Sequence, residues 1–567
     1  MTSNDARSGR PVPPDGFTAP ENPIEGERSA FSGMPPVATP APGFDPATFA
    51  SPPVATPASA RPFESKDWLV VALAVLEAVL WVEVFDFDLG FRFGQVMPGI
   101  GMTAFTFVGF ACLFIALGRR ARIDRVTVPL LVATALLALI PALFGNQDLR
   151  VLNSFMLWVT GTFTAFMVAG LWEGAWARFG AFLAAACHFF TSQFVHLVKP
   201  FQALGAARRQ RLGSPRSEVA RSVVAGLALA AVLLVVVVPL LMSADQVFDG
   251  LVGGWHLDIS LTDQVERVLY GMVVAPVLFG LLWGFSRTVA NSVALRVSSA
   301  TRSWSAALVP MAVALVFLDV VYLVFCGIQF VYLFGGAQTA LMQGGYAEYA
   351  RSGFFQLVAV AALNLAVGLA SAKAAGDADS VVAPIEQAPS LHRVQWGAAL
   401  VRALNLALLA CTAVILASAA WRMGLYIAAY GLSVLRMLTL LGMAFILVCL
   451  VACAARTLAA RFNFFRVFFV SGVALWIAFN FLNVDSTLAN YNVDRYLAGD
   501  LEQMDTSYLF ETSPDALPAL ERLLDHARAT GDKRIDVLAL ERSIESERLM
   551  VKDCPWQYRS LSYGGIG

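Results

Sequence analysis

From Trp68 to about Leu482 the chain is a succession of apolar runs, most of them about 20 residues long, separated by short polar breaks. A run of that length crosses hydrocarbon as an α-helix, because in lipid only a helix or a closed barrel satisfies every backbone N–H and C=O without water. Eleven runs can be read, near 68–89, 95–117, 127–145, 149–171, 219–241, 267–285, 306–334, 354–371, 398–420, 432–453 and 464–482. Composition agrees: 57% of residues are hydrophobic, only 14% are charged, and the mean hydropathy is +0.65. Soluble domains have about 45–50% apolar and about 25% charged residues. The fold class expected is all-α, a polytopic transmembrane helical bundle of about 11 spans whose first partner is the lipid bilayer.

The distribution of charge supplies the threading. With residues 1–66 placed in the cytoplasm, the even-numbered loops hold most of the arginines. Arg119, Arg120, Arg122 and Arg125 follow the second run, and Arg178, Lys199, Arg208, Arg209, Arg211, Arg216 and Arg221 follow the fourth. Later even loops carry Arg287, Arg296 and Arg302, then Lys373 and Arg393, then Arg456, Arg461 and Arg466. Odd loops are poor in basic residues and often acidic, with Asp86 and Asp88, then Asp148, then Asp245, Asp249, Asp258, Asp263 and Glu266. By the positive-inside rule the chain is a multi-pass protein of the plasma (inner) membrane, its N-terminus cytoplasmic and its C-terminus extracytoplasmic. A net charge of −1 gives no pull toward nucleic acid.

Three segments fall outside the spans. Residues 1–66 are rich in Pro, Ala, Ser and Thr, repeat Pro-Pro-Val-Ala-Thr-Pro at 35–40 and 52–57, and lack the pattern of a signal peptide. They read as a disordered tether. Residues 175–204 are apolar on one face, but His188, Thr191, Ser192, His196 and Lys199 form a polar stripe. Counting them as a span would invert every later loop, so an interfacial amphipathic helix fits better, with a re-entrant helix left open. Residues 483–567 are polar and read as a small α-helical extracytoplasmic domain. Its first helix starts at Ser513-Pro514 or at Pro518 and ends near Gly531, and a second runs from about Arg534 to Val551. Helices this short bury little surface alone, so docking on the membrane domain is expected.

Four stretches resemble a bacterial polytopic membrane family known only as domain of unknown function 4173, to which a family numbered 4153 is related. They are Leu240-Leu-Met-Ser-Ala-Asp-Gln-Val-Phe248, Tyr346-Ala-Glu-Tyr-Ala-Arg-Ser-Gly-Phe-Phe-Gln-Leu357, Trp421-Arg-Met-Gly-Leu-Tyr-Ile-Ala-Ala-Tyr-Gly-Leu-Ser-Val-Leu-Arg436, and Asn490-Tyr-Asn-Val-Asp-Arg495 with Asp505-Thr-Ser-Tyr-Leu509 and Ser513-Pro-Asp-Ala-Leu517. The resemblance implies membrane location and carries no activity.

All four stretches lie at extracytoplasmic span ends or in the outer domain, which makes their polar residues candidates for a site. Glu348 and Arg351 are three apart, Arg422 and Tyr426 share a helix face with Tyr430, and Arg436 enters the tenth span. Interfacial anchoring accounts for the same residues, since Tyr and Trp sit at headgroup depth while Arg snorkels. Glu77 and Asp319 lie near the middle of the first and seventh spans. Each costs about 2.5–3.5 kcal/mol or more there if ionised and unpaired, so each should face the bundle interior. They serve either a proton- or cation-coupled path or an interhelical hydrogen bond, with Asn364 and Asn405 as candidate partners.

Enzyme signatures are absent. There is no Walker loop, His-Glu-x-x-His, Cys-x-x-Cys pair or Gly-x-Ser-x-Gly. All cysteines but Cys554 sit in apolar runs, and Cys449 and Cys453 have no companion pair. No catalytic residue, cofactor or metal is assigned. The expected function is a non-enzymatic membrane scaffold or signalling partner, with other membrane proteins as candidate partners. The alternatives are a transporter or channel using Asp319 and Glu77, and an envelope enzyme acting on lipid-linked substrates.

Overall fold

The computed structural model describes residues 64, 67–85, 97–171, 259–287, 308–334, 354–382, 390–459, 461–501 and 505–562, with a few between 186 and 202. The Pro/Ala-rich tail, the expected span 219–241 and the stretch 346–351 with Glu348 and Arg351 lie outside them. Every regular element described is helical. In the membrane domain these are α1 (Asp67–Val84), α2 (Ile100–Leu117), α3 (Thr127–Leu143), α4 (Gln147–Val168), α5 (Ile259–Arg287), α6 (Leu308–Phe334), α7 (Phe354–Val382), α8 (Ser390–Tyr430), α9 (Val434–Leu458) and α10 (Phe464–Phe481). Five shorter elements follow: α11 (Val484–Leu497), α12 (Thr506–Phe510), a 3-10 turn Pro514–Ala516, α13 (Leu517–Thr530) and α14 (Val537–Asp553).

Among the described residues eight helices, α2 and α4 to α10, are long and apolar enough to cross a membrane. The protein is a multi-pass membrane protein. Helix α3 has 17 residues, and α1 spreads Asp67, Glu77 and Glu83 along its 18. Exposed faces are as greasy as buried ones: on α6, Val309 and Phe317 are 74% and 71% exposed. Such a stripe is costly in water and ordinary in lipid.

Polar punctuation marks where the helices stop. The side-chain oxygens of Asn146 and Asn463 cap α4 and α10 by accepting from Leu149 N and Arg466 N, at 2.8 and 3.0 Å. Asn483 turns the chain from α10 into α11 with φ +46°, a left-handed conformation that Asn tolerates. Helix α8 is longer than the 398–420 read from hydropathy. Nothing between Ser390 and Tyr430 breaks it, so its 41 residues run about 60 Å, twice the hydrocarbon thickness.

The helices form two groups joined through α10. In one, Val70, Leu73 and Ala74 of α1 pack on Cys112, Leu113 and Leu117 of α2 and on Phe279, Leu282 and Trp283 of α5. In the other, Leu308 and Leu315 of α6 pack on Ala374 of α7 and on Ala398, Val401 and Leu408 of α8. Of the segment 175–204, the described residues Ala186 and Phe189 are buried with Phe163, Phe166 and Met167. Lys199 Nζ lies over the Trp283 ring, 4.8 Å from its centroid. Ala186 and Phe189 of that segment therefore rest on protein.

Three polar networks, each centred on an asparagine, tie the spans internally. Pro141 has no N–H to give the Leu137 carbonyl one turn back. Asn153 Nδ2 of α4 donates to that carbonyl at 2.9 Å, and Trp476 Nε1 of α10 donates to Asn153 Oδ1 at 3.2 Å. In the second group Tyr322 Oη donates to Asn364 Oδ1 and Asn364 Nδ2 to Thr412 Oγ1, both at 2.9 Å. Asn405 Nδ2 donates to the Gly368 carbonyl at 3.1 Å and to Thr457 Oγ1 at 2.8 Å.

Asn153→Leu is expected to destabilise the detergent-solubilised protein by about 1–2 kcal/mol, because two buried polar groups lose their partner. In a Pro141→Ala background, where residue 141 again offers an N–H to Leu137, the loss should shrink. A double-mutant cycle of thermal unfolding measures it, and an equal loss in both backgrounds would refute the assignment.

Candidate functional site

The ends of the spans divide into two kinds. At one end lie Arg119 and Arg120 in the 3-10 turn after α2, with Arg122 and Arg125 beyond. There Arg120 Nη1 donates to the Ser286 carbonyl of α5 at 3.2 Å, and Arg122 N donates to the Val168 carbonyl of α4 at 2.8 Å. The opposite ends of α1 to α4 and of α8 to α10 meet the C-terminal segment, which acts as a cap. Leu488, Ala489, Val493, Leu520, Leu523 and Leu540 of the cap share one buried cluster with Leu137, Leu149, Leu157 and Trp476 of the membrane domain.

Helix ends leave four amides or four carbonyls unpaired, and burying them requires partners. The cap supplies these. At the start of α2, Gly99 N and Gly101 N donate to the Gln557 carbonyl and Ile100 N to the Arg559 carbonyl, all at 2.9 Å. At the end of α1, Gln557 Nε2 donates to the Glu83 carbonyl at 3.1 Å. A side chain at Gly99 would collide with the Arg559 carbonyl. At the end of α8, Arg495 Nη1 donates to the Ala428 carbonyl at 2.9 Å. Asn492 pairs with both backbone groups of Leu432, accepting from N at 2.7 Å and donating to O at 2.9 Å. Gly431 is confined to glycine twice over, by φ +76° and by the Asn492 amide against it. Val434 N, opening α9, donates to Tyr508 Oη at 2.8 Å. Burial holds that phenol above its ordinary value, so it stays protonated.

Of the sequence candidates, the structure brings Tyr426 and Arg436 together. The Arg436 guanidinium stacks 4.2 Å from the Tyr426 ring centroid and donates to the carbonyls of Tyr430 and Gly431. These bonds cap the C-terminus of α8, where a cation also meets the negative end of the helix dipole. Arg422 lies one turn before Tyr426 on α8, half-buried. Glu77 and Asp319 are both buried, but in different helix groups. Glu77 faces Cys112 and Gly109 of α2. Among the described residues neither Asn364 nor Asn405 hydrogen-bonds to an acid: Asn364 is engaged with Tyr322 and Thr412, and Asn405 Nδ2 with Gly368 and Thr457. Among the described residues, neither buried carboxyl oxygen of Asp319 has a hydrogen-bond partner.

The densest polar cluster was not among the candidates. Arg150, 1% exposed, opens α4 beneath the cap. Its Nε donates to the Phe144 carbonyl at 3.1 Å and its Nη1 to the Tyr558 carbonyl at 3.2 Å. Asp515 Oδ2 accepts from Gly145 N at 2.9 Å. Asp485 accepts from Asn146 Nδ2 at 2.8 and 2.9 Å and from Ser513 N at 3.0 Å. Asn146, Arg150, Asp485 and Asp515, with Asn480 and Asn483, line a cavity of about 10 Å³, the room of one water. Burial pushes the Asp515 carboxyl up and Asp485 adds to the rise, while Gly145, Ser562 and Arg150 oppose it. Arg150 falls inside the run 149–171, and a cation so close to hydrocarbon was itself a signal.

What the fold defines is a multi-pass helical membrane protein with a docked helical cap. Its sequence matches the family described as Domain of unknown function (DUF4153) over residues 131–384 and 393–523, more than half of the chain. The protein belongs to that family. The match takes in Asp485, Asn492, Arg495, Tyr508 and Asp515, the cap's docking residues. No curated protein and no solved structure matches the chain.

Arg150→Met is expected to weaken cap docking by about 3–5 kcal/mol, as breaking a buried charge cluster does, read as faster limited proteolysis of the cap in nanodiscs. Because Asp515 has a raised pKa when docked, docking takes up a proton. Its contribution is complete below the ordinary aspartate pKa and is lost as pH rises through the raised value. Glu547, which burial pushes up to about 7, titrates with the same sign. In a Glu547→Gln background, Asp515→Asn should flatten the remaining pH dependence of proteolysis between acid and neutral pH. An unchanged profile would contradict the assignment.

Proposed function

We propose that this protein is a non-enzymatic scaffold of the plasma membrane that presents its cap to protein partners on the outer face. The observation that carries the reading is the use made of the polar residues at the capped end. Arg436, Arg495, Asn492, Tyr508 and Asp515 bind backbone groups at span ends and hold the cap rigid. A rigid mount suits a domain whose surface is read by something else. Between α13 and α14 that surface has a charged groove of about 590 Å³. Arg528–Glu541 and Arg548–Glu521 pair across it at 2.7 and 2.6 Å, and Asp525 and Glu545 also line it.

The positive-inside rule supports the orientation: the arginine end faces the cytoplasm and the capped end faces out. Helix α4 finishes at the arginine end and α5 begins near Glu83 at the capped end. That is the change of side which the eleven-span reading assigns to 219–241. The likeness of four motifs to domain of unknown function 4173 is read as kinship within this wider group.

A second reading, a proton- or cation-coupled transporter, is favoured by the unpartnered carboxyl of Asp319. One set of experiments separates the two. A photo-crosslinker at Glu545 in native membranes should trap one discrete protein adduct, lost on Asp525→Lys with Glu545 still labelled, while proteoliposomes show no proton flux. Absence of the adduct, together with flux abolished by Asp319→Asn, would replace the scaffold by the transporter.

A further inference from the structure

We propose that the C-terminal strap, residues 555–562, is a lipid-contact element seated at the headgroup level of the outer leaflet. The hydrogen bonds of its backbone set its depth. The Gln557 and Arg559 carbonyls take the first three amides at the start of α2, and Gln557 Nε2 takes the Glu83 carbonyl in the last turn of α1. Helix α2 is one of the helices long and apolar enough to cross a membrane, so a strap that closes its start sits at the membrane boundary.

Its side chains sort by environment. Cys554 and Tyr558 turn inward and are 2% and 3% exposed. Trp556 and Leu561 turn outward and are 48% and 62% exposed, large apolar groups only partly covered by protein. Arg559 and Lys552 stand exposed beside them, the Arg559 guanidinium fixed by the Cys554 carbonyl at 2.7 Å. An indole and an isobutyl group flanked by cations is the composition that settles among glycerol esters and phosphates. The helix that the strap closes exposes apolar groups of its own: Leu69, Leu76 and Val79 of α1 are 51%, 55% and 59% exposed. At that depth the occupant is the lipid headgroup layer. The strap shares no residue with the groove between α13 and α14; its placement in the outer leaflet rests on the orientation proposed above.

The test uses the full chain in nanodiscs of phosphatidylglycerol and phosphatidylethanolamine, with the exposed Cys187 replaced by Ser. Trp556→Cys, Leu561→Cys and, as an aqueous control, Glu545→Cys each carry an environment-sensitive fluorophore. Labels at 556 and 561 should be quenched by headgroup nitroxide lipids and lose quenching by aqueous iodide, with the reverse at 545. The Leu561 position keeps the test decisive if the Trp556 variant does not fold. Labels at 556 and 561 that follow the control, or that neither quencher reaches because a protein partner covers them, would overturn the proposal.

Discussion

A backbone amide or carbonyl left unpaired where neither water nor a helix neighbour can reach it costs more than most single contacts gain. Hydrocarbon enforces this along the spans, and the cap, by covering one end of the bundle, extends the same demand to the span ends. The cap answers it with side chains that imitate a peptide group, as Asn492 does for Leu432, and with its own carbonyls at Gln557 and Arg559. Because these partners are fixed in direction, they set the register in which the cap sits. The apolar contacts around Leu488 and Leu520 add affinity without that directionality.

Inside the membrane the same constraint accounts for the residues that look out of place. Asn153 answers the carbonyl freed by Pro141, and Asn405 binds the carbonyl of Gly368, where a Cβ would come within 3.1 Å of Asn405 Oδ1. Arg150 buries a charge only because three carbonyls and two aspartates surround its end of α4. Among the described residues, Asp319 is a buried acid for which neither carboxyl oxygen has a hydrogen-bond partner, and it is the observation behind the transport reading.

Much of the fold was legible because a span announces itself by length and hydropathy, both local properties. Every expected span apart from 219–241 coincides with a helix of the membrane domain. The cap's helices start and stop near the expected Pro518, Gly531 and Arg534, because Pro, Gly and the capping Asp536 act within a turn. The docking cluster was not legible in the same way. Gly145 and Asp515 are 370 residues apart, Asn146 and Asp485 are 339 apart, and Glu83 and Gln557 are 474 apart. No periodicity connects such pairs. The resemblance motifs did contain one half of some partnerships, since Asn492, Arg495, Tyr508 and Asp515 lie in the quoted stretches, while Asp485, Gln557 and Arg559 do not. Their role as backbone partners needed the other half, the span ends, to be placed beside them.

Hydrogen–deuterium exchange in nanodiscs tests the cap's role most directly. The amides of Gly99, Ile100, Gly101, Gly145, Leu432 and Val434 face no partner in their own helices, and the account has them protected by the cap. They should exchange slowly in the intact protein and speed up together in Asn492→Ala and Arg150→Met variants. If they exchange as fast as the amides around the exposed Gly531 turn in the unmodified protein, the cap does not hold the span ends and the account fails.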